Sequence, residues 1–352
     1  MAISLTDTLN QIEALSPEVL ARAQARQDIL IKPQGSLGVL EELGVRLAAI
    51  QNTLKPQLDH AEIHTFAADH GSAQAGVSAF SQAVTAQMIS GIADGVAGVS
   101  LIANTFGIAV RPYDVGIVSQ VENARVIQRK IMPGTHNMHE EDAMSRSQAI
   151  QALELGINEA IDAIENRKVS ALGLGEVGIG NTTSAAAIIS VFTGLEPELV
   201  TGRGTGLDDE GLSRKIAFIK ETLDERKPNA QDGLDVLSKI GGLEIAAMAG
   251  TVLGAASRRT AVVVDGVISC AATLIALSLA PKAKDYIFAS HNSEEPGCKR
   301  AFDYMGLSPY LDLRMRLGEG TGAALGIAVM RAAANVMSNM ASFDEAGVSN
   351  KE

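Results

Sequence analysis

Apolar positions recur at helical spacing over 4–28 and again over 36–54, and the break Lys32-Pro33-Gln34-Gly35 separates the two runs. Pro and Gly end the first helix there, and Ser36 stands where it can cap the second. From about residue 61 the rhythm changes. Short runs of strand character at 62–68, 108–116, 168–175, 260–266 and 285–290 alternate with helical stretches near 82–104, 143–165, 182–193, 211–225, 243–256, 267–279 and 298–305. Strand, helix, strand at this spacing implies right-handed crossovers and an α/β fold, with a mostly parallel sheet covered on both faces. An Ala- and Met-rich helix is expected over 320–341, followed by a polar end. The helices of the two chain ends are expected to pack as a small unit of 1–55 plus 320–352, beside an α/β unit of 56–319.

Composition narrows the function more than the fold. Of 352 residues, 46% are hydrophobic, enough for a large core, and the formal net charge of −12 disfavours nucleic acid as a partner. Trp is absent and aromatics are 3%, so stacking platforms for bases are scarce. A single small phosphate remains possible, because backbone amides bind it whatever the net charge. Two cysteines, Cys270 and Cys298, do not make a disulfide framework in a chain this long, which fits a cytoplasmic setting. The start MAISLTDTLNQIEALS is polar and amphipathic rather than a signal peptide. The apolar stretch 262–280 is interrupted by Asp265, Gly266 and two serines, and is expected as strand, turn and helix, not as a membrane span.

Candidate chemistry gathers in three glycine-rich loops. Gly173-Leu-Gly175-Glu176-Val-Gly178 matches the dinucleotide fingerprint G-x-G-x-x-G, with Glu196 and Glu198 about twenty residues on. Two features oppose a dehydrogenase: at least two strands precede it, and the loop runs on through Gly180, Asn181, Thr182 and Thr183 into a helix start. Such a start offers free N–H groups and a positive dipole end to a phosphate monoester, though an ordinary glycine turn has the same look. The second loop holds Gly202, Gly204, Thr205 and Gly206, and Lys215 follows one turn into the next helix, within reach of a phosphate or carboxylate. A solvated lysine on a capped helix fits that stretch equally. In the third, Glu319 stands between Gly318 and Gly320, either as a general base or as an acid favoured by the helix dipole.

Other candidates lie at strand ends, where open parallel sheets bind ligands. Asp69 and His70 follow the first sheet strand, and the loop that includes Gly76, Ser78, Phe80 and Gln82 offers a wall for an aromatic base. Ser290 and His291 end the last strand. No close ligand pair of the H-x-x-x-H or C-x-x-C kind is present, so no metal is expected, and neither cysteine sits in an activating context.

Taken together the motifs resemble the nicotinate-nucleotide–dimethylbenzimidazole phosphoribosyltransferase family along nearly the whole chain. The resemblance rests on KPQGSLGVLEEL (32–43), ADHG (68–71), VSAFSQAVTAQM (77–88), YDVGI (113–117), GTHN (134–137), GEVGIGNTTSAAA (175–187), VTGRGTGLDDEGLSRK (200–215), DGLDVLSKIGGLEIAAMAG (232–250), DGVISCAA (265–272), SHNSEEPG (290–297) and RLGEGTGAALG (316–326). It implies a Rossmann-like three-layer fold with a small helical domain from the termini. The implied reaction moves ribose 5-phosphate from nicotinate mononucleotide to a lower-ligand base of a cobamide, and needs no cofactor. The base is a benzimidazole, a purine or, through related paired subunits, a phenol; a non-catalytic paralogue is the rival from another class. The resemblance assigns Glu319 as general base and Glu176 as the second carboxylate. It puts the donor phosphate on the 178–183 and 202–206 loops near Lys215, with Ser290 and His291 on the donor side. Phe80, Gln87, Met88, Asp69 and His70 are expected around the base; Phe80 and Met88 differ from some relatives. It also implies a dimer, of two copies or with a paralogue.

Overall fold

The computed structural model describes residues 3–349; the last residues of the polar end lie outside them. Six strands form one parallel sheet: β1 (Ala61–Ala68), β2 (Ala109–Gly116), β3 (Ile127–Gln128), β4 (Ala171–Val177), β5 (Ala261–Val264) and β6 (Ile287–Ala289). Their order across the sheet is β3-β2-β1-β4-β5-β6, and every neighbouring pair is parallel. The chain starts in the middle, builds outward to one edge, then returns and builds to the other. The order therefore reverses between β1 and β4, and a crevice opens there beyond the carboxyl ends of the strands.

All residues of β1, β4 and β5 are buried, as a sheet covered on both faces requires. The polar members of β1 are paired: Glu62 meets His64 at 3.1 Å and Arg167 at 2.9 Å, which holds its carboxyl down at about 2 despite burial. On one face, helices Arg146–Glu165 and Leu243–Ser257 pack closely; Gly156 and Gly250 lie against the backbone of the opposite helix. On the other face, helix Thr321–Asn339 covers β4 and β5 and also packs on helix Val39–Gln51, which in turn packs on Pro17–Asp28. Ala23, Val45, Ala48 and Met337 form a small cluster of their own between these terminal helices.

The structure differs from the periodicity in several places, each with a local cause. The stretch 4–28 is two helices, Leu5–Asn10 and Pro17–Asp28, because Pro17 can only open a helix. Ser36 is not the cap of the next helix, which starts at Val39; the Glu41 carboxylate instead takes the N–H groups of Gly35 and Leu37 and pairs with Lys32 at 2.9 Å. The apolar run 82–104 is split at Asp94-Gly95 into Ala83–Ala93 and Gly98–Thr105. The short strand β3 and the helix Gly233–Ile240 add to the expected elements: β3 has only two residues, and the helix, although Leu234, Leu237 and Ile240 recur at helical spacing on its buried side, is only 8 residues long; Pro281–Tyr286 is a 3-10 turn that shortens β6.

Candidate active site

A cavity of about 460 Å³ occupies the crevice, and a small recess adjoins it. The loops after β4, β5 and β6 build the cavity, together with the 314–320 segment and helix Ala83–Ala93. Its wall includes Phe80, Val84, Met88, Glu176, Asn181, Gly204, His291, Glu295, Arg316 and Glu319. The recess is formed by Ser78, Gly178, Gly180, Asn181, Thr182, Arg203, Gly204, Thr205 and Lys215.

The recess has the features of an anion site. Helix Asn181–Thr193 begins after Gly180, and no side chain caps it; the N–H of Asn181 goes to the Gly178 carbonyl (3.1 Å) and that of Thr183 to the Gly180 carbonyl (3.0 Å), which leaves the amides of Gly180 and Thr182 to a ligand. Lys215 is fully buried, and its Nζ donates to Thr182 Oγ1 (2.7 Å) and to the Gly202 carbonyl (3.3 Å). Burial lowers its pKa to about 8, and the field of the more distant Glu295 supports its charge.

The cavity wall beside the recess carries carboxylates. Glu176 is not in a loop: it is the sixth residue of β4, with the side chain turned into the cavity wall and Asn181 Nδ2 donating to Oε2. Burial, then the fields of Glu244, Asp265 and Glu319, raise its pKa to about 8, against the hydrogen bond from Asn181. Glu319 has φ of +63°, between Gly318 at +85° and Gly320 at +101°. Glycine tolerates that left-handed conformation freely and glutamate does not, so a side chain is kept where the backbone alone would favour a third glycine. Its Oε2 accepts the Val99 N–H at 3.1 Å, at the start of helix Gly98–Thr105, while burial raises its pKa.

Asp265, directly after β5, fixes this turn. Its oxygens accept the N–H groups of Gly322 (2.7 Å), Gly320 (3.1 Å) and Ala323 (3.2 Å), yet burial leaves its pKa at about 7. Gly175 in β4 lies against the Glu319 carbonyl, with no room for a Cβ. Gly173 and Gly175 of the dinucleotide fingerprint are thus strand residues used for close packing, not loop residues around a pyrophosphate, which removes the dehydrogenase reading.

Not every expected residue reaches the cavity. His70 is buried behind the 178–183 loop, with Nε2 2.6 Å from Glu244 Oε1 and Nδ1 3.1 Å from Ser184 Oγ. Asp69 accepts the Val118 N–H at 2.8 Å, and burial raises its pKa. Both support the wall from outside rather than line it. Gln87 is exposed because Phe80, Val84 and Met88, four residues apart, share the cavity side and Gln87 does not. Ser290 Oγ donates to the Val264 carbonyl at 2.6 Å and is held there, while neighbouring His291 does line the cavity, its pKa lowered by burial. Gly202 and Gly206 shape the second loop without lining either space, whereas Gly204 and Thr205 line both. Asp265, Glu295, Arg316 and Leu317 join the site from within the quoted motifs, and the position of Asp265 at a strand's carboxyl end was the available signal.

A Rossmann-like sheet with a buried lysine in a recess and carboxyls of raised pKa around one cavity marks the site of an enzyme. The comparisons are specific. The profile of the family described as Phosphoribosyltransferase matches residues 12–348, and this chain belongs to that family. The nicotinate-nucleotide–dimethylbenzimidazole phosphoribosyltransferase of Chloroflexus aggregans is 48% identical over 99% of both chains. That of Roseiflexus castenholzii is 47% identical over 99% of this chain and 98% of its own. The crystal structure of CobT from Thermus thermophilus superposes with a TM-score of 0.91 at 42% identity, over 95% of this chain and all of that one.

Proposed function

We propose that this phosphoribosyltransferase moves ribose 5-phosphate from nicotinate mononucleotide to 5,6-dimethylbenzimidazole, giving an α-riboside 5′-phosphate and nicotinate for cobamide synthesis. One observation carries the reading: a single cavity has a buried lysine recess at one end and two raised-pKa carboxyls, Glu176 and Glu319, along its wall. That polarity suits a donor with a phosphate dianion at one end and a pyridinium cation at the other.

In this reading the phosphate sits on the amides of Gly180 and Thr182 and against Gly204, Thr205 and Lys215. The base rests on Phe80, Val84 and Met88. Its ring nitrogen attacks C1′ from the face opposite nicotinate, and the C1′–N bond to nicotinate breaks. The bonding pair goes to the departing pyridine nitrogen, and the N–H proton of the base passes to Glu319, whose raised pKa suits an acceptor near neutral pH. Glu176 faces the positive charge that develops at C1′.

We also read the terminal helices as a small helical unit, and a second copy of this chain as the partner for the apolar, exposed face around Val96, Leu101 and Phe106. The 23 residues Ala83–Thr105 of that face are apolar enough by count to cross a bilayer, but they break into two helices that pack on β2, so a protein partner in the cytoplasm is the reading we favour. The test of function is mass spectrometry of purified protein with nicotinate mononucleotide and, separately, dimethylbenzimidazole, adenine, phenol and p-cresol. Nicotinate released together with dimethylbenzimidazole riboside phosphate is the expected result. No product with any acceptor, or product with a phenol alone, would overturn the proposal.

A further inference from the structure

We infer that Glu295 is a positioning residue for the donor phosphate: it holds the 202–206 loop in its receiving shape and supplies the negative charge that keeps Lys215 cationic. This rests on the function proposed above.

Glu295 is the N-cap residue of helix Pro296–Met305, a position where a side chain ordinarily turns back onto its own helix. Here it makes no such bond. The carboxylate crosses instead to the neighbouring loop, where Oε1 accepts the Gly204 N–H at 3.0 Å. Gly202 lies directly on the other oxygen, and any Cβ there would collide with the carboxylate. Two glycines of one loop are therefore fitted around one side chain from another element. Two cations hold the loop's carbonyls, Lys215 Nζ at Gly202 and Arg316 Nη1 at Gly204, both at 3.3 Å.

Glu295 is only 8% exposed, and one amide does not offset the burial of a carboxylate. A nearby positive charge does, and Lys215 is the buried one at hand. The groups facing Lys215 are few. Helix Asn181–Thr193 offers the Thr182 hydroxyl, and the loop offers the Gly202 carbonyl. Arg203 lines the same recess, and its field opposes that of Glu295. On the lysine's own helix, Asp208 is bound to the Gly211 N–H and Asp209 to Arg203. That leaves Glu295 to offset the burial that pulls the lysine towards neutrality.

The test compares Glu295→Gln with wild type in kcat/KM for nicotinate mononucleotide between about pH 6 and about pH 9, at saturating dimethylbenzimidazole. Gln keeps an acceptor for Gly204 and removes only the charge. Removing that field leaves burial unopposed and lowers the lysine pKa, so the alkaline limb should move to lower pH. At the acid end the loss should be smallest, and KM for the base should change less than KM for the donor. Glu295→Asp keeps the charge but shortens the reach, so it should raise KM for the donor and leave the limb in place. A limb that coincides in wild type and Gln variant, a loss equal at every pH, or an Asp variant that shifts like Gln would overturn the inference. Wild-type protein that fails to use the donor at all would instead overturn the proposed function, so the two failures are distinct.

Discussion

Replacing Glu319 by Gln tests the proposed chemistry most directly. The amide oxygen of Gln can keep the bond from the Val99 N–H, now 3.1 Å from Oε2, and the left-handed backbone at 319 is unaffected by the exchange. Burial already raises the pKa of this carboxyl, so a neutral side chain costs the fold little there and can stabilise it. What disappears is the proton acceptor. General base catalysis contributes about 10²–10⁴-fold, which at 1.36 kcal/mol per tenfold is about 2.7–5.4 kcal/mol of barrier. The assay is nicotinate release at saturating base, with the donor varied and melting temperature measured alongside. We expect kcat to fall by that factor, donor KM to stay within a few-fold, and melting to be unchanged or higher. The wild-type rate should also decline as pH falls through the raised Glu319 pKa, while the residual rate of the variant should not follow that limb. A folded variant with kcat within a few-fold of wild type would refute the assignment.

Glu176→Gln should trade activity for stability. The folded pKa of about 8 stands above the ordinary 4.5, so the folded state holds the extra proton and wild-type stability declines as pH rises between those values. Above pH 8 that decline amounts to about 3–5 kcal/mol as an upper bound, and a variant that melts no higher than wild type there would contradict it. Lys215→Met should leave the protein folded but lower its melting temperature, since Glu295 loses the charge that offsets its burial; donor KM should rise by the equivalent of about 2–5 kcal/mol, read in the same assay, with KM for the base unchanged. Gly175→Ala pushes a methyl group into the Glu319 carbonyl and the Thr65 hydroxyl, which should cost about 1–3 kcal/mol in denaturant unfolding and lower kcat as well; wild-type kcat in that variant would show that the turn tolerates displacement.

The parallel sheet was legible because its strands are apolar on both faces and punctuated by glycine loops, and the three loops that bound the cavity stood out for the same reason. Position within those loops was less legible. Glu176 reads as part of a glycine loop, but the strand runs on to Val177 because Gly173 and Gly175 serve close packing. Asp69 and His70 read as ligand contacts because they end a strand; the fold places Glu244 and Val118 against them, and neither partner is signalled by spacing. Helical phase explains Gln87, which is one position off the stripe that faces the cavity. Glu295 and Arg316 act across loops distant in sequence, on Gly204 from either side, and a pairing of that kind is visible only after folding.

The separation of charge inside the cavity explains why so acidic a chain suits an anionic donor. Its net charge of −12 acts at long range and is screened by salt, whereas the recess offers amides and one buried lysine at contact distance. At the other end, Glu176 and Asp265 have pKa values of about 8 and about 7, so before the donor arrives the site carries part of its negative charge in protonated form. A pyridinium arriving beside these groups favours their ionised forms. When the C1′–N bond breaks, nicotinate takes the bonding pair and its ring becomes neutral, while positive character moves to C1′. Carboxylates fixed by the fold and lining the cavity, Glu176 under the Asn181 amide and Glu319 on the Val99 N–H, then face the new charge without having to reorganise. A uniformly basic cavity would hold the phosphate equally well but would oppose that step. On this reading, the free-energy cost of burying carboxyls is offset where the charge develops.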